Sequence, residues 1–217
     1  MGNFVKWSLS LLILVSACVV SAVLAFGNYY YYQWINGFLN VKDVFLSALM
    51  YSAFLLIIGF TVILWNPRYF GFQAGESIRR WKLVLTVSIA ICAFTVICLS
   101  QTPRTPYSGA NLAVEMILVP VSEEMIWRGV ILSLVYTVLG KLHAEKMRIV
   151  LTIAFSSLAF GLAHISNVLV HPVSFVLLQM AFAAIAGACM GYLRIKTKSV
   201  YPAMLVHSLF NLVAVLF

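Results

Sequence analysis

The stretch 111–139, NLAVEMILVPVSEEMIWRGVILSLVYTVL, decides how the chain is read. It is long enough to cross a bilayer, whose hydrocarbon core takes about 20 apolar residues of helix. Yet it carries Glu123, Glu124 and Arg128 near its middle. A charge at mid-bilayer costs about 2.5–3.5 kcal/mol on insertion scales, and such residues face a bundle interior or a water-filled cavity. Glu124 and Arg128 stand i, i+4 on one helix face and can form an ion pair. Glu123 points about 100° away and has no basic residue one turn on. The spacing therefore separates the two carboxylates: Arg128 holds Glu124 charged, and Glu123 is left for another partner. Glu115, nearer the start of the span, reaches the interface more easily.

The rest of the chain has the composition of a membrane protein. Its 217 residues are 63% hydrophobic and 9% charged, with a mean hydropathy of +1.02. A soluble domain carries about 45–50% apolar and 25% charged residues, so there is too little polar side chain here to cover a water-facing surface. That excludes a soluble domain, a disordered chain and a small disulfide scaffold. Apolar runs over Trp7–Phe26, Val44–Trp65, Leu83–Ser100, Asn111–Leu139, Ile149–Ile165, Val173–Leu193 and Val200–Phe217 predict an all-α, polytopic transmembrane helix bundle of about seven spans. Between the first two spans, Tyr29 to Tyr32 and Trp34 suit an aromatic belt at headgroup level.

The net charge is +8. A basic excess can signal a nucleic-acid partner, but its distribution here is that of an orientation signal, and no nucleic acid is expected. Lys6, the cations of 68–82, those of 141–148 and those of 194–198 fall on one side of a seven-span bundle; only Lys42 and Arg104 fall on the other. The positive-inside rule then places the N-terminus in the cytoplasm and the C-terminus opposite. An integral, multi-pass protein of a bacterial cytoplasmic membrane is the expected setting. The first run exceeds the 7–15-residue core of a signal peptide and reads as a retained helix. Cys18, Cys92, Cys98 and Cys189 lie within spans without paired spacing, so they act as small apolar residues. Ala183, Gly187 and Gly191 recur every four residues and let another helix of the bundle approach closely.

Two later spans add polar residues at helical spacing: His164, four after Phe160, and His207 with Asn211 one turn on. A lone intramembrane histidine is as often a hydrogen bond between helices as a ligand. Two histidines, an asparagine and two glutamates on three spans point instead to a shared site. The sequence has no HExxH helix and no Gly-x-Ser-x-Gly elbow. Asp43, the sole aspartate, lies in a loop, which excludes an intramembrane aspartyl pair. Water activation remains. Glu123, taken out of water, is a competent general base; a histidine beside it can share the proton, or both can ligate a metal. The second histidine and the asparagine can donate to a developing oxyanion.

Glu123-Glu124-x-x-x-Arg128, Phe160-x-x-x-His164 and His207-x-x-x-Asn211 resemble, complete and in order, the three motifs of the CPBP family, which comprises the CAAX proteases and bacteriocin-processing enzymes and is also called the Abi family. The resemblance covers residues 111–217 as a catalytic core; residues 1–110 match only as variable preceding helices. It implies an intramembrane endopeptidase acting on a hydrophobic, lipidated or membrane-associated peptide or protein among membrane lipids. Glu123 and His164 would activate the water, and His207 and Asn211 would stabilise the oxyanion. Glu124, Arg128 and Phe160 would support them. A metal-free reaction is the favoured reading; zinc held by Glu123, His164 and His207 is the alternative. A non-catalytic bacteriocin-immunity or scaffold protein would keep the same cluster only to hold its helices. A proton-relaying transporter would favour internal repeats, and the chain shows none.

One expectation conflicts with these motifs. Counted from the basic ends, Glu124 lies ~22 Å inside its span and His207 only ~10 Å inside its own. Straight helices would keep them apart, so the long fourth span, with Pro120, must tilt, kink or emerge into the cytoplasm.

Overall fold

The computed structural model describes residues 2–39, 44–75, 78–99 and 112–216, and every long element among them is helical. Helix α1 is Asn3–Leu39, α2 is Val44–Ile63 and α3 is Trp81–Leu99. The fourth, α4 (114–139), alternates π-helical turns at Val114–Leu118 and Met125–Ile131 with α-helix at Val119–Glu124 and Leu132–Leu139. Helices α5 (Glu145–Leu162), α6 (Val173–Thr197) and α7 (Tyr201–Leu216) complete the chain. Lys42, Asp43, Glu76 and the Pro/Thr loop containing Arg104 lie outside the described residues.

The burial pattern is inverted relative to a soluble bundle. Along α1, Leu11, Leu12, Val19 and Val23 are exposed while Ser10 and Ser21 are buried; α2 and α3 likewise bury Ser52 and Thr95 and expose Ile57, Phe60 and Ile89. Without water to drive apolar faces together, helices in lipid pack through small residues and turn leucine and valine outward. Three helical stretches, Asn3–Tyr31, Glu145–Leu169 and Val173–Thr197, are long and apolar enough to cross a membrane, with mean hydropathies of 2.7, 1.9 and 2.0. Ala48–Ile63, Trp81–Ile97 and Tyr201–Leu216 are shorter apolar helices. The chain is an integral membrane protein.

Several boundaries move from their expected places. Helix α1 runs on through the tyrosine cluster, because 27–39 offers no proline and only isolated glycines to stop it. At 37 residues it is ~55 Å long, well beyond a ~30 Å hydrocarbon core. Helix α6 continues past Leu193 to Thr197, and α5 begins at Glu145. Helix α5 packs along α6, α3 along α7, α1 along α5 and α2 along α4. The motif-free helices thus brace the motif-bearing ones. The glycine stripe lies inside the bundle as expected: a Cβ at Gly187 would stand 3.0 Å from the Arg128 guanidinium and 3.3 Å from the Phe160 ring.

The depth conflict resolves in two ways. The turn between α6 and α7 is largely covered: Thr197, Ser199 and Val200 are fully buried, while Lys198 between them is exposed. Residues 66–75, expected to be a plain polar connection, fold over it: the Val200 amide donates to the Gly71 carbonyl at 3.0 Å, and the Gln73 amide donates to the Lys198 carbonyl at 3.3 Å. Helix α7 therefore starts beneath this cover, and the 2.9 Å contact of His207 with Glu124 puts the two at one level. The second source is α4, whose π-helical turns flank Pro120. Proline cannot donate to the helical ladder, and π-turns are rare features that cluster at functional sites.

Candidate active site

The paired glutamates occupy the last turn of the α-helical part of α4, Glu123 at 6% exposure and Glu124 fully buried. Arg128, also fully buried, donates from Nη1 to Glu124 Oε1 at 2.8 Å, the i, i+4 pair expected from spacing. The same oxygen receives His207 Nδ1 at 2.9 Å from α7. Glu124 is therefore the anion that holds together an arginine on its own helix and a histidine on another. Phe160 of α5 packs where these groups meet, with the Arg128 guanidinium 4.2 Å above its ring. Its ring centroid lies 5.4 Å from that of His164, 6.0 Å from His207 and 5.5 Å from Trp127.

Glu123 faces the other way and finds two neighbours. The Tyr51 hydroxyl of α2 donates to Glu123 Oε1 at 2.7 Å. His207 Nε2 lies 3.7 Å from Glu123 Oε2, beyond hydrogen-bond distance. One carboxylate oxygen is thus occupied by a phenol, and the other stands beside an imidazole without being consumed by it. Tyr51 was not expected from the sequence. The available signal was a tyrosine at bilayer depth in an otherwise apolar span, a residue that seeks a partner for its hydroxyl when buried.

His164 lies just beyond the end of α5, not within it, with φ −90° and ψ 0°. This sparsely populated backbone region is one where many active-site residues sit. Its Nδ1 is 3.2 Å from the Phe160 carbonyl. A carbonyl only accepts, so Nδ1 carries the proton, and in the neutral ring Nε2 is left with its lone pair. Asn211, one turn after His207, donates from Nδ2 to the Glu115 carbonyl at 2.8 Å, tying α7 to the start of α4. An amide nitrogen has two hydrogens, so a second donor remains.

Glu123, His164, His207 and Asn211 all line one cavity of about 580 Å³, together with Tyr51, Glu115, Asn167 and Gln179. Asn167 Nδ2 donates to Gln179 Oε1 at 2.8 Å, fixing the connection that follows His164 to the first turns of α6. The cavity lies toward the bundle end where α5 finishes and α6 begins, away from the cations of 141–148 and 194–198. Its lining offers acceptors at Glu123 and His164 and a free donor at Asn211; His207, whose Nδ1–H is spent on Glu124, adds a donor at Nε2 only in its protonated form. That arrangement can activate a water and stabilise an oxyanion. Zinc fits less well: among the described residues no three His, Cys, Asp or Glu side chains are gathered closely enough to hold a metal ion. Glu123, His164 and His207 do not form a ligand set here.

A family model, the Rce1-like type II CAAX prenyl endopeptidases, matches residues 105–213. No curated protein and no solved structure matches the chain. The matched segment spans half of the sequence and contains Glu123, Glu124, Arg128, Phe160, His164, His207 and Asn211. The chain belongs to the Rce1-like type II CAAX prenyl endopeptidase family.

Proposed function

We propose that this protein is an intramembrane endopeptidase in which Glu123, assisted by His164, activates the attacking water without a metal. The observation that carries the reading is the state of Glu123. Its carboxylate is buried, anchored through one oxygen by Tyr51, and lines a polar cavity with its other oxygen unpaired at hydrogen-bond distance. Glu124 also leaves one oxygen, Oε2, without a partner, but that oxygen is buried and Glu124 does not line the cavity, whereas Glu123 does.

In the proposed reaction Glu123 takes a proton as the water oxygen bonds to the scissile carbonyl carbon. The His164 Nε2 lone pair is the second acceptor for that water. The carbonyl π electrons move onto oxygen, where the free Asn211 amide hydrogen and, when His207 is protonated, its Nε2–H donate to the oxyanion. Collapse of the intermediate breaks the C–N bond, and the proton held by Glu123 passes to the leaving nitrogen. Glu124 and Arg128 touch no reacting atom; they fix His207.

The substrate class we infer is a hydrophobic or lipidated peptide segment that enters from the cation-poor end of the bundle, where the cavity lies. With the cation-rich end in the cytoplasm, that mouth faces outward, and reporter fusions after Arg148 and Lys198 read the orientation directly. The test of the reaction is cleavage of a hydrophobic peptide by detergent-purified protein, with and without a chelator. Cleavage that survives chelation supports the glutamate mechanism. Loss with chelator and recovery with Zn²⁺ would reassign Glu123 and the two histidines as ligands, and no cleavage of any membrane peptide would favour the scaffold reading.

A further inference from the structure

A second cavity, of about 550 Å³, lies at the other, cation-rich end of the bundle. Its lining includes Arg194, near the C-terminal end of α6, and also Arg68, Arg80, Lys196 and Lys198. The single acidic side chain among the described lining residues is Glu145, and it is already engaged by Arg148 at 3.2 Å and by the Tyr136 hydroxyl at 2.6 Å.

Arg194 is the unusual member. It is 9% exposed, and among the described residues no carboxylate pairs with it. Its Nη2 makes two long contacts to neutral oxygens, 3.4 Å to the Tyr69 carbonyl and 3.3 Å to Ser133 Oγ, and its Nε has no partner at all. The covering loop is shaped around it: Gly71 has φ +86°, and a Cβ there would stand 2.4 Å from the guanidinium. A buried charge is normally paired: Arg128, although its Nε and Nη2 also lack partners, has the Glu124 carboxylate, and among the described residues Arg194 has no such anion. The α6 C-terminal dipole offsets only a fraction of a charge. A planar guanidinium with open donors matches the oxygens of a phosphate group.

From this cavity and its uncompensated arginine we infer a binding site for a phosphate oxyanion, with Arg194 as its central donor. The phosphodiester of an anionic phospholipid in the adjacent leaflet and free phosphate share this chemistry. The cations around Arg194 supply the field that draws either one in.

The test is thermal unfolding of the full chain, purified in neutral detergent and titrated separately with phosphatidylglycerol, phosphatidylcholine and inorganic phosphate. A ligand that binds only the folded state raises the melting temperature saturably. The site predicts such a rise with phosphatidylglycerol and none with phosphatidylcholine; an equal rise with inorganic phosphate would assign the soluble anion as the source. Arg194→Gln should weaken the response at least about tenfold, which corresponds to about 1.4 kcal/mol of binding. Should that variant misfold, Ser133→Asp places a carboxylate beside Nη2 and should abolish the response by satisfying Arg194 internally. Lys141→Gln, which removes an exposed cation outside the cavity, should leave the response intact. No saturable rise with either anion, or a full response in both Arg194→Gln and Ser133→Asp, would overturn the site.

Discussion

The two ends of the bundle treat buried charge in opposite ways. Toward the cation-poor end, negative charge is buried and shared out: Glu124 is claimed by Arg128 and His207, and Glu123 is steadied by Tyr51. At the cation-rich end, Arg194 is buried with no anion paired to it among the described residues. A charge removed from water costs several kcal/mol unless geometry and hydrogen bonds return it. On the proposed reading, a buried charge that keeps open positions is where another molecule acts: a water and a peptide at Glu123, an oxyanion at Arg194.

The largest effect expected from breaking that comparison falls on the compensated charge. Glu124→Gln leaves Arg128 without its anion at zero exposure, and breaking a buried pair typically costs ~3–5 kcal/mol. Denaturant or thermal unfolding in detergent should register that loss, and His207, released from Nδ1, should lose its place with it. Stability unchanged within ~1 kcal/mol would mean that Glu124 is not the anchor.

Next in size is Asn211→Ala. If the free amide hydrogen donates to the oxyanion, its loss should lower kcat by ~10²–10³ with little change in KM. If Asn211 only ties α7 to the Glu115 carbonyl, the variant loses about 0.6 kcal/mol of stability on average and its turnover per folded molecule survives. Kinetics normalised to the monodisperse folded fraction separate the two.

A smaller effect is expected at Tyr51, the contribution of the motif-free half. A hydrogen bond to a charged group contributes about 1.5–3 kcal/mol, so Tyr51→Phe should reduce kcat/KM by roughly 10- to 100-fold. Ser21→Ala removes another inter-half hydrogen bond, the one from Trp127 Nε1 at 3.2 Å, but leaves Glu123 alone and should spare the rate. Equal losses in both variants would reduce Tyr51 to a packing residue.

The candidate site was legible because its residues are anomalous in lipid. Two glutamates and an arginine inside an apolar run, with histidines at i, i+4 spacing from Phe160 and Asn211, announce a polar interior before any coordinates. Helical periodicity also separated Glu123 from Glu124, and the structure gives the pair the two distinct environments that spacing implied. What periodicity could not supply was pairing between helices. Tyr51 carries no charge and sits in an ordinary apolar span, so its bond to Glu123 depends on how α2 docks against α4. Residues 66–75 folding over the α6–α7 turn is likewise a long-range contact with no local pattern. Arg194 was concealed for another reason. Cations at helix ends near the cytoplasm read as orientation signals, and only burial distinguishes one that is enclosed from those that face water.

Central to the account is that Glu123, not Glu124, is the base. The direct measurement is single-turnover cleavage of a hydrophobic peptide by purified wild-type protein and Glu123→Gln, each normalised to folded protein. Glu123→Gln should lose at least ~10² in the rate of the chemical step, the scale of general-base catalysis, with unfolding close to wild type. A Glu123→Gln variant that stays folded and cleaves within about fivefold of wild type, far short of that scale, would contradict this role of Glu123.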